Sequence, residues 1–162
     1  MIKNVKPIFV VLVLSSLVSF NEPSTSTEKL SLGDKAPELV LGNDTQLLNL
    51  QNAKKDYTLL SFWASYDAAS RMENARMDHL VANSANVNMI SISFDSYKSV
   101  YQASIKQDKV DASECHWEME GENSKIFKSY DLKNGFKNYL VDKNGVIIAK
   151  NLTADDLVSY LN

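Results

Sequence analysis

The chain has 162 residues, of which 44% are apolar and 23% charged, and a formal charge of −3. That length holds one domain once a targeting segment is set aside. Only five glycines and three prolines argue against a fibrous or disordered chain, and the negative charge leaves no basic field to draw nucleic acid or an anionic membrane surface.

The N-terminus carries Lys3 and Lys6, followed by a charge-free apolar run from Ile8 to Phe20. A hydrocarbon core needs about 20 such residues, and this run is shorter. A basic start before a short apolar run reads as a Sec-type signal peptide over residues 1–20, with an uncleaved anchor as the alternative. No cysteine lies just beyond it, so the acylated-cysteine route is closed. Removing residues 1–20 takes away two lysines and no acid, which leaves 15 basic against 20 acidic residues, or −5. The expectation is an exported protein, periplasmic or cell-envelope-associated, with no membrane span in its mature part. Residues 21–30 are a polar tether, and the domain proper is 31–162.

Pro37–Leu41 and Gln46–Leu50 are short apolar runs around Gly42-Asn43-Asp44, a hairpin with a turn between. Gln51–Tyr57 is a polar connection containing Lys54 and Lys55. Thr58–Trp63 is a nearly continuous apolar run, as a strand buried on both faces would be. A helix follows from about Ala68 to Val81. Ala68, Ala69, Met72, Ala75, Leu80 and Val81 give it an apolar stripe, and Arg71, Glu73, Asn74, Arg76 and Asp78 fill most of the other face. His79 borders the stripe, with no second ligand placed by sequence to join it on a metal.

Val87–Phe94 reads as a strand. Asp95-Ser96 can cap a helix over roughly Tyr97–Gln107. Residues 109–122 are acidic and irregular, a solvated insertion anchored by Trp117 or Met119. Ser124–Tyr130 forms a short helix. Asn138–Val141 and Val146–Ala149 flank Asn144-Gly145, a strong hairpin signal because both residues tolerate positive φ. Thr153 can cap the last helix, with Asp155 and Asp156 in its first turn. The pattern implies an α/β fold, a mixed central sheet flanked by helices on both faces.

The order of elements and three local words resemble the thioredoxin-like fold, in particular the exported TlpA/ResA-type thiol-disulfide oxidoreductases of the AhpC/TSA redoxin group. Gly33-Asp34-Lys35-Ala36-Pro37 resembles that family's opening G-x-x-A-P. Leu60–Ser65 resembles its strand ending in F-W-A-S/T, and Tyr139–Gly145 its late F-L-I-D-x-x-G hairpin. The resemblance covers residues 31–162. The family continues W-A-S-W-C-x-x-C-R, whereas this chain reads Trp63-Ala64-Ser65-Tyr66-Asp67-Ala68-Ala69-Ser70-Arg71. The resemblance thus sets Asp67 at the nucleophilic cysteine and Ser70 at the resolving one. It sets Phe136 at the family's cis-proline, where a trans peptide is expected. A carboxylate cannot form a mixed disulfide and a serine cannot resolve one.

The field at a helix N-terminus that lowers a cysteine's pKa also suits an aspartate, and Asp67 is expected to cap its helix. Trp63, Tyr66, Asp67 and Phe136 would form the surface where the family's partner polypeptides bind. The alternative reading has Trp63 and Phe136 packed into the core edge. The one cysteine, Cys115, excludes an internal disulfide and is read as a partly buried thiol packing as a small hydrophobe. Its functional alternatives are a reactive thiol or an intermolecular bridge. Cys115 and His116 lie among acids, but adjacent residues seldom turn both side chains to one ion, and neither a metal nor a cofactor is expected. The function expected is a redox-inactive binding or scaffolding module, not an enzyme, with a possible protein partner at the former active-site groove. The alternative is residual thiol or peroxide chemistry at Cys115.

Overall fold

The computed structural model describes residues 30–42, 46–48, 50 and 55–161. The expected signal peptide, all but the last residue of the tether, Asn43-Asp44 in the first turn and Lys54 in the following connection lie outside the described residues. Strands β1 (Leu39–Leu41) and β2 (Gln46–Leu48) form the antiparallel hairpin the two apolar runs imply. There follow β3 (Tyr57–Trp63), helix α1 (Ala68–Val81), β4 (Val87–Ser93), α2 (Lys98–Asp108), β5 (Cys115–Trp117), α3 (Lys125–Ser129), β6 (Asn138–Asp142), β7 (Ile147–Lys150) and α4 (Ala154–Leu157).

Five strands make one sheet in the order β5-β4-β3-β6-β7. β3, β4 and β5 run parallel, joined through α1 and α2, and β6 and β7 are antiparallel additions on the other side. The sheet is therefore mixed. β3 is central and buried along nearly its whole length, which is why its sequence is apolar on both faces.

Period-two alternation sorts β3 between two cores. Leu60 and Phe62 join β1 and the α3 residue Ile126 on one face. Leu59 meets Met77 and Val81 of α1 and Leu157 of α4 on the other, and Trp63 packs with Tyr101 of α2. The opening Gly33–Ala36 segment is pinned along β7, with Gly33 N–H donating to Ile147 O and Ile147 N–H to Asp34 O.

Four expectations are corrected. The segment 109–122 is not a solvated insertion throughout, because Cys115–Trp117 pairs with Ser91–Ser93 as the edge strand of the main sheet. Glu118 just beyond it is fully buried, accepting the N–H groups of Gly42 and Glu120. Trp117 does anchor the segment, through Nε1–H to Asp95 O at 2.7 Å, whereas Met119 is exposed. Second, the N-cap of α2 is Tyr97, which makes no side-chain capping bond, and Asp95 is engaged elsewhere. Third, α1 buries Asn74, Met77 and Val81, while Ala68, Ala69 and Met72 of the expected apolar stripe face solvent. Fourth, in the β6–β7 turn only Gly145 has positive φ (76°), and Asp142 Oδ1 accepts the N–H groups of Asn144 and Val146 in place of a two-residue left-handed turn.

Candidate functional site

The turn from β3 into α1 is assembled from both sides of the sheet. Asp67 is the N-cap of α1, extended at φ −99°, and its Oδ1 accepts Ser70 N–H at 2.8 Å. Its own N–H donates to Ala64 O at 3.1 Å, and Ser70 Oγ–H donates to Asp67 O at 3.2 Å. The two residues predicted to hold the turn are therefore brought together as a helix cap. A short side-chain acceptor at this position satisfies one of the four N–H groups that a helix start leaves open.

Beneath the turn sits Asp95, 2% exposed. Its Oδ1 accepts both the backbone N–H (2.9 Å) and the hydroxyl (2.5 Å) of Ser65, and its Oδ2 accepts Ser93 Oγ–H at 2.8 Å. This carboxylate was placed as a helix cap by sequence reasoning, and it is instead the support of the β3–α1 turn. The signal that marks it is a charged residue just past an otherwise uncharged strand.

Trp63 is 1% exposed and lies in the core beneath α2, so it adds nothing to any surface. Its Nε1–H donates to Ser91 Oγ at 2.8 Å, and Ser91 Oγ–H donates to Asn74 Oδ1 at 2.8 Å. This three-residue relay, buried between β3, β4 and α1, explains how a polar Asn74 comes to sit on the inner face of the helix. Arg71 ties the first turn of α1 to the end of α2 through a two-pronged bond to Asp108 at 2.7 and 2.8 Å. That partner raises its already high pKa.

Tyr66 and Phe136 do meet at the surface. Tyr66 is 64% exposed, and its ring centroid lies 6.1 Å from that of half-buried Phe136. Phe136 stacks on Phe94 (5.8 Å, 25°) and meets Phe127 edge-on, so it also packs into the core edge. No cis peptide occurs among the described residues. Phe62 N–H donates to Lys137 O, which holds the Gly135–Lys137 segment against β3 beside the turn. A groove of about 410 Å³ opens there, lined by Asp67, Ala69, Met72, Glu73, Phe136, Lys137 and Thr153 among others. Met72 on its rim is 60% exposed. Met72 was placed by sequence in the helix's apolar stripe, and its exposure makes it part of this surface.

Cys115 lies apart from the turn, on β5. It is buried, its Sγ–H points to Asp111 O at 3.1 Å, and burial pushes its thiol up to about 11. Such a thiol is a small core side chain that stays protonated at neutral pH. His116 is held below its ordinary pKa by burial, and its Nε2 has no hydrogen-bond partner. Among the described residues no group of three metal-ligating side chains converges, and no helix is long and apolar enough to cross a membrane.

No family profile and no curated protein matches the sequence. Solved structures do. A thioredoxin-like protein from Parabacteroides distasonis is 36% identical, with a TM-score of 0.70 over 82% of this chain and 96% of that one. A thiol-disulfide oxidoreductase from Bacteroides fragilis is 26% identical, with a TM-score of 0.63 over 78% of this chain and 96% of its own. The thioredoxin domain of a thiol-disulfide oxidoreductase from Bacteroides vulgatus shares the fold at 22% identity, with a TM-score of 0.66 over 83% of this chain and 100% of its own.

Proposed function

The chain belongs to the thioredoxin-like family, which includes the thiol-disulfide oxidoreductases, and on that premise we propose that it is a redox-inactive binding module that holds a partner polypeptide in the groove beside the β3–α1 turn. One observation carries the reading. At the helix start where the family's chemistry resides, Asp67 and Ser70 are joined in a capping bond, and the groove beside them is open and lined by both apolar and polar side chains. A capping carboxylate keeps the anion that a helix N-terminus favours while offering no sulfur to exchange. Exposed Tyr66 and Met72 beside half-buried Phe136 supply the aromatic and thioether surface that partner sites use.

The reading includes export, on the strength of the basic and apolar N-terminal sequence. Thiol or peroxide chemistry at Cys115 is the second functional idea, and the burial and raised pKa of that thiol oppose it.

A photo-crosslinking amino acid substituted at Met72 in the exported full chain tests the partner. A discrete adduct that disappears in the Tyr66→Glu and Phe136→Glu variants supports the reading. An adduct indifferent to both changes, or no adduct, contradicts it.

A further inference from the structure

The sulfur atoms of the chain are divided between core and surface. Among the described residues, Met77 and Met89 are buried between α1 and the sheet, 0% and 4% exposed, and Cys115 is buried on β5. Met72 and Met119 are exposed, at 60% and 54%. Met119 lies against Gly42, in a cavity with residues of α2 and β5. Of these four methionines, Met72 is the one that lines the groove beside the β3–α1 turn.

The large apolar side chains of that lining are Phe62, Met72, Phe136 and Leu152. Phe62 is buried, Phe136 and Leu152 are half-buried, and Met72 is exposed. The rest of the lining is small or polar, with Asp67, Glu73, Lys137 and Thr153 among it. Met72 also lines a second cavity of about 500 Å³ on the other flank of α1, with Ser65, Ala75 and Gln107. Its side chain is therefore a ridge between two open spaces, and a segment lying in the groove meets it as the main exposed apolar contact. A thioether has no proton to lose, so its reaction with a peroxide is set by access. Cys115, the one thiol, is covered and stays protonated, so it does not compete.

We propose that Met72 is a peroxide-modifiable site, and that oxidation of its exposed thioether to the sulfoxide releases the segment held in the groove. This rests on the reading of the groove as a polypeptide site and names how that site is regulated. In the step, a lone pair on Met72 Sδ attacks one oxygen of hydrogen peroxide, and the S–O bond forms as the O–O bond breaks. The hydroxide that leaves takes the proton of the transferred oxygen and departs as water. Sulfur gives up two electrons and the peroxide gains them. The product sets a polar S–O group where the groove offered an apolar ridge. The burial of Met77 and Met89 keeps the same reaction out of the core, so the partner is lost without loss of the fold.

The test uses the full chain with a photo-crosslinking amino acid at Ala69, an exposed residue of the groove lining, before and after dilute hydrogen peroxide. Peptide mass mapping follows each methionine, and circular dichroism follows the fold. Sulfoxide is expected at Met72 and Met119 before Met77 or Met89, with the melting curve unchanged. The adduct yield is expected to fall about tenfold, the effect of losing one apolar anchor. The fall should persist in Met119→Leu and appear without peroxide in Met72→Gln. It should be absent from Met72→Leu, which places the oxidised residue on this chain and not on the partner. An adduct unchanged by full oxidation of Met72, or a Met72 oxidised no sooner than Met77, would overturn the regulation and leave the groove as a polypeptide site. Absence of any adduct from the untreated chain would remove the groove reading and the regulation with it.

Discussion

Asp67 separates a capping role from a chemical one, because its substitutions remove the acceptor and the charge independently. In Asp67→Ala the 2.8 Å bond to Ser70 N–H is lost and the first turn of α1 keeps an unsatisfied donor. Loss of such a cap costs about 0.5–2 kcal/mol, and loss of a negative charge at a helix N-terminus about 0.3–1 kcal/mol. Asp67 is partly buried within a turn held by Asp95, so the acceptor cannot be replaced easily by bulk water, and a total of about 1.5–2 kcal/mol is expected. For a domain of this size that lowers Tm by roughly 5–8 °C. Asp67→Asn keeps an acceptor of equal capping strength and loses only the charge, so its drop should be less than half as large and should fade in high salt. The assay is thermal unfolding by circular dichroism at neutral pH, at low and high ionic strength. A neutral Asp67→Ala, or an Asp67→Asn as damaging as the alanine, would show that Asp67 is not a charged helix cap.

Three further predictions concern the buried Ser91 and Cys115. Ser91→Ala removes the link between Trp63 Nε1 and Asn74 Oδ1 and leaves both without partners, at roughly 2–4 kcal/mol, so urea unfolding followed by tryptophan fluorescence should show a lower midpoint at unchanged slope. A loss below about 1 kcal/mol would mean that the relay is not a structural unit. For Cys115, a folded-state pKa of about 11 makes alkylation by iodoacetamide at pH 8 about 100-fold or more slower than that of an unperturbed thiol, with the ordinary rate restored in urea. The same raised value makes stability fall with rising pH. The folded thiol keeps its proton where the unfolded one, near 8.5, loses it, so this contribution is complete below about pH 8.5 and lost on approaching 11. Across that window the native chain should lose on the order of 2–3 kcal/mol more than Cys115→Ala.

The elements that were legible in the sequence are those whose signal is local. β3 is a continuous apolar run because it is central and covered on both faces, and α1 starts at a residue able to cap it. Thr153 forms the full capping box with Asp156 at the start of α4, as the local sequence implies. The elements that were not legible depend on partners distant in sequence. β5 is three residues long, and its pairing is set by Ser91–Ser93 of β4. Nothing in an acidic stretch announces that Glu118 will be buried by the N–H of Gly42, 76 residues earlier. The inner face of α1 was misread because Asn74 is satisfied by Ser91 and because Ala68, Ala69 and Met72, apolar by type, stand on the helix's first turns outside the sheet's cover. For the site, sequence located the cap and the Tyr66–Phe136 pair. It left open whether Trp63 faces the surface or packs into the core edge, and it did not show that Asp95 supports the turn; both are decided by the register of β3 against β4.

On the proposed reading, the β3–α1 turn caps its helix and carries no sulfur chemistry. Insulin-disulfide reduction in the presence of dithiothreitol, with the native chain compared to the Asp67→Cys/Ser70→Cys variant, tests it most directly. The native chain is expected to leave the dithiothreitol rate unchanged, while the variant accelerates reduction because its two thiols then stand at the N-cap and in the first turn of α1. Acceleration by the native chain, lost on Cys115→Ser, would contradict it.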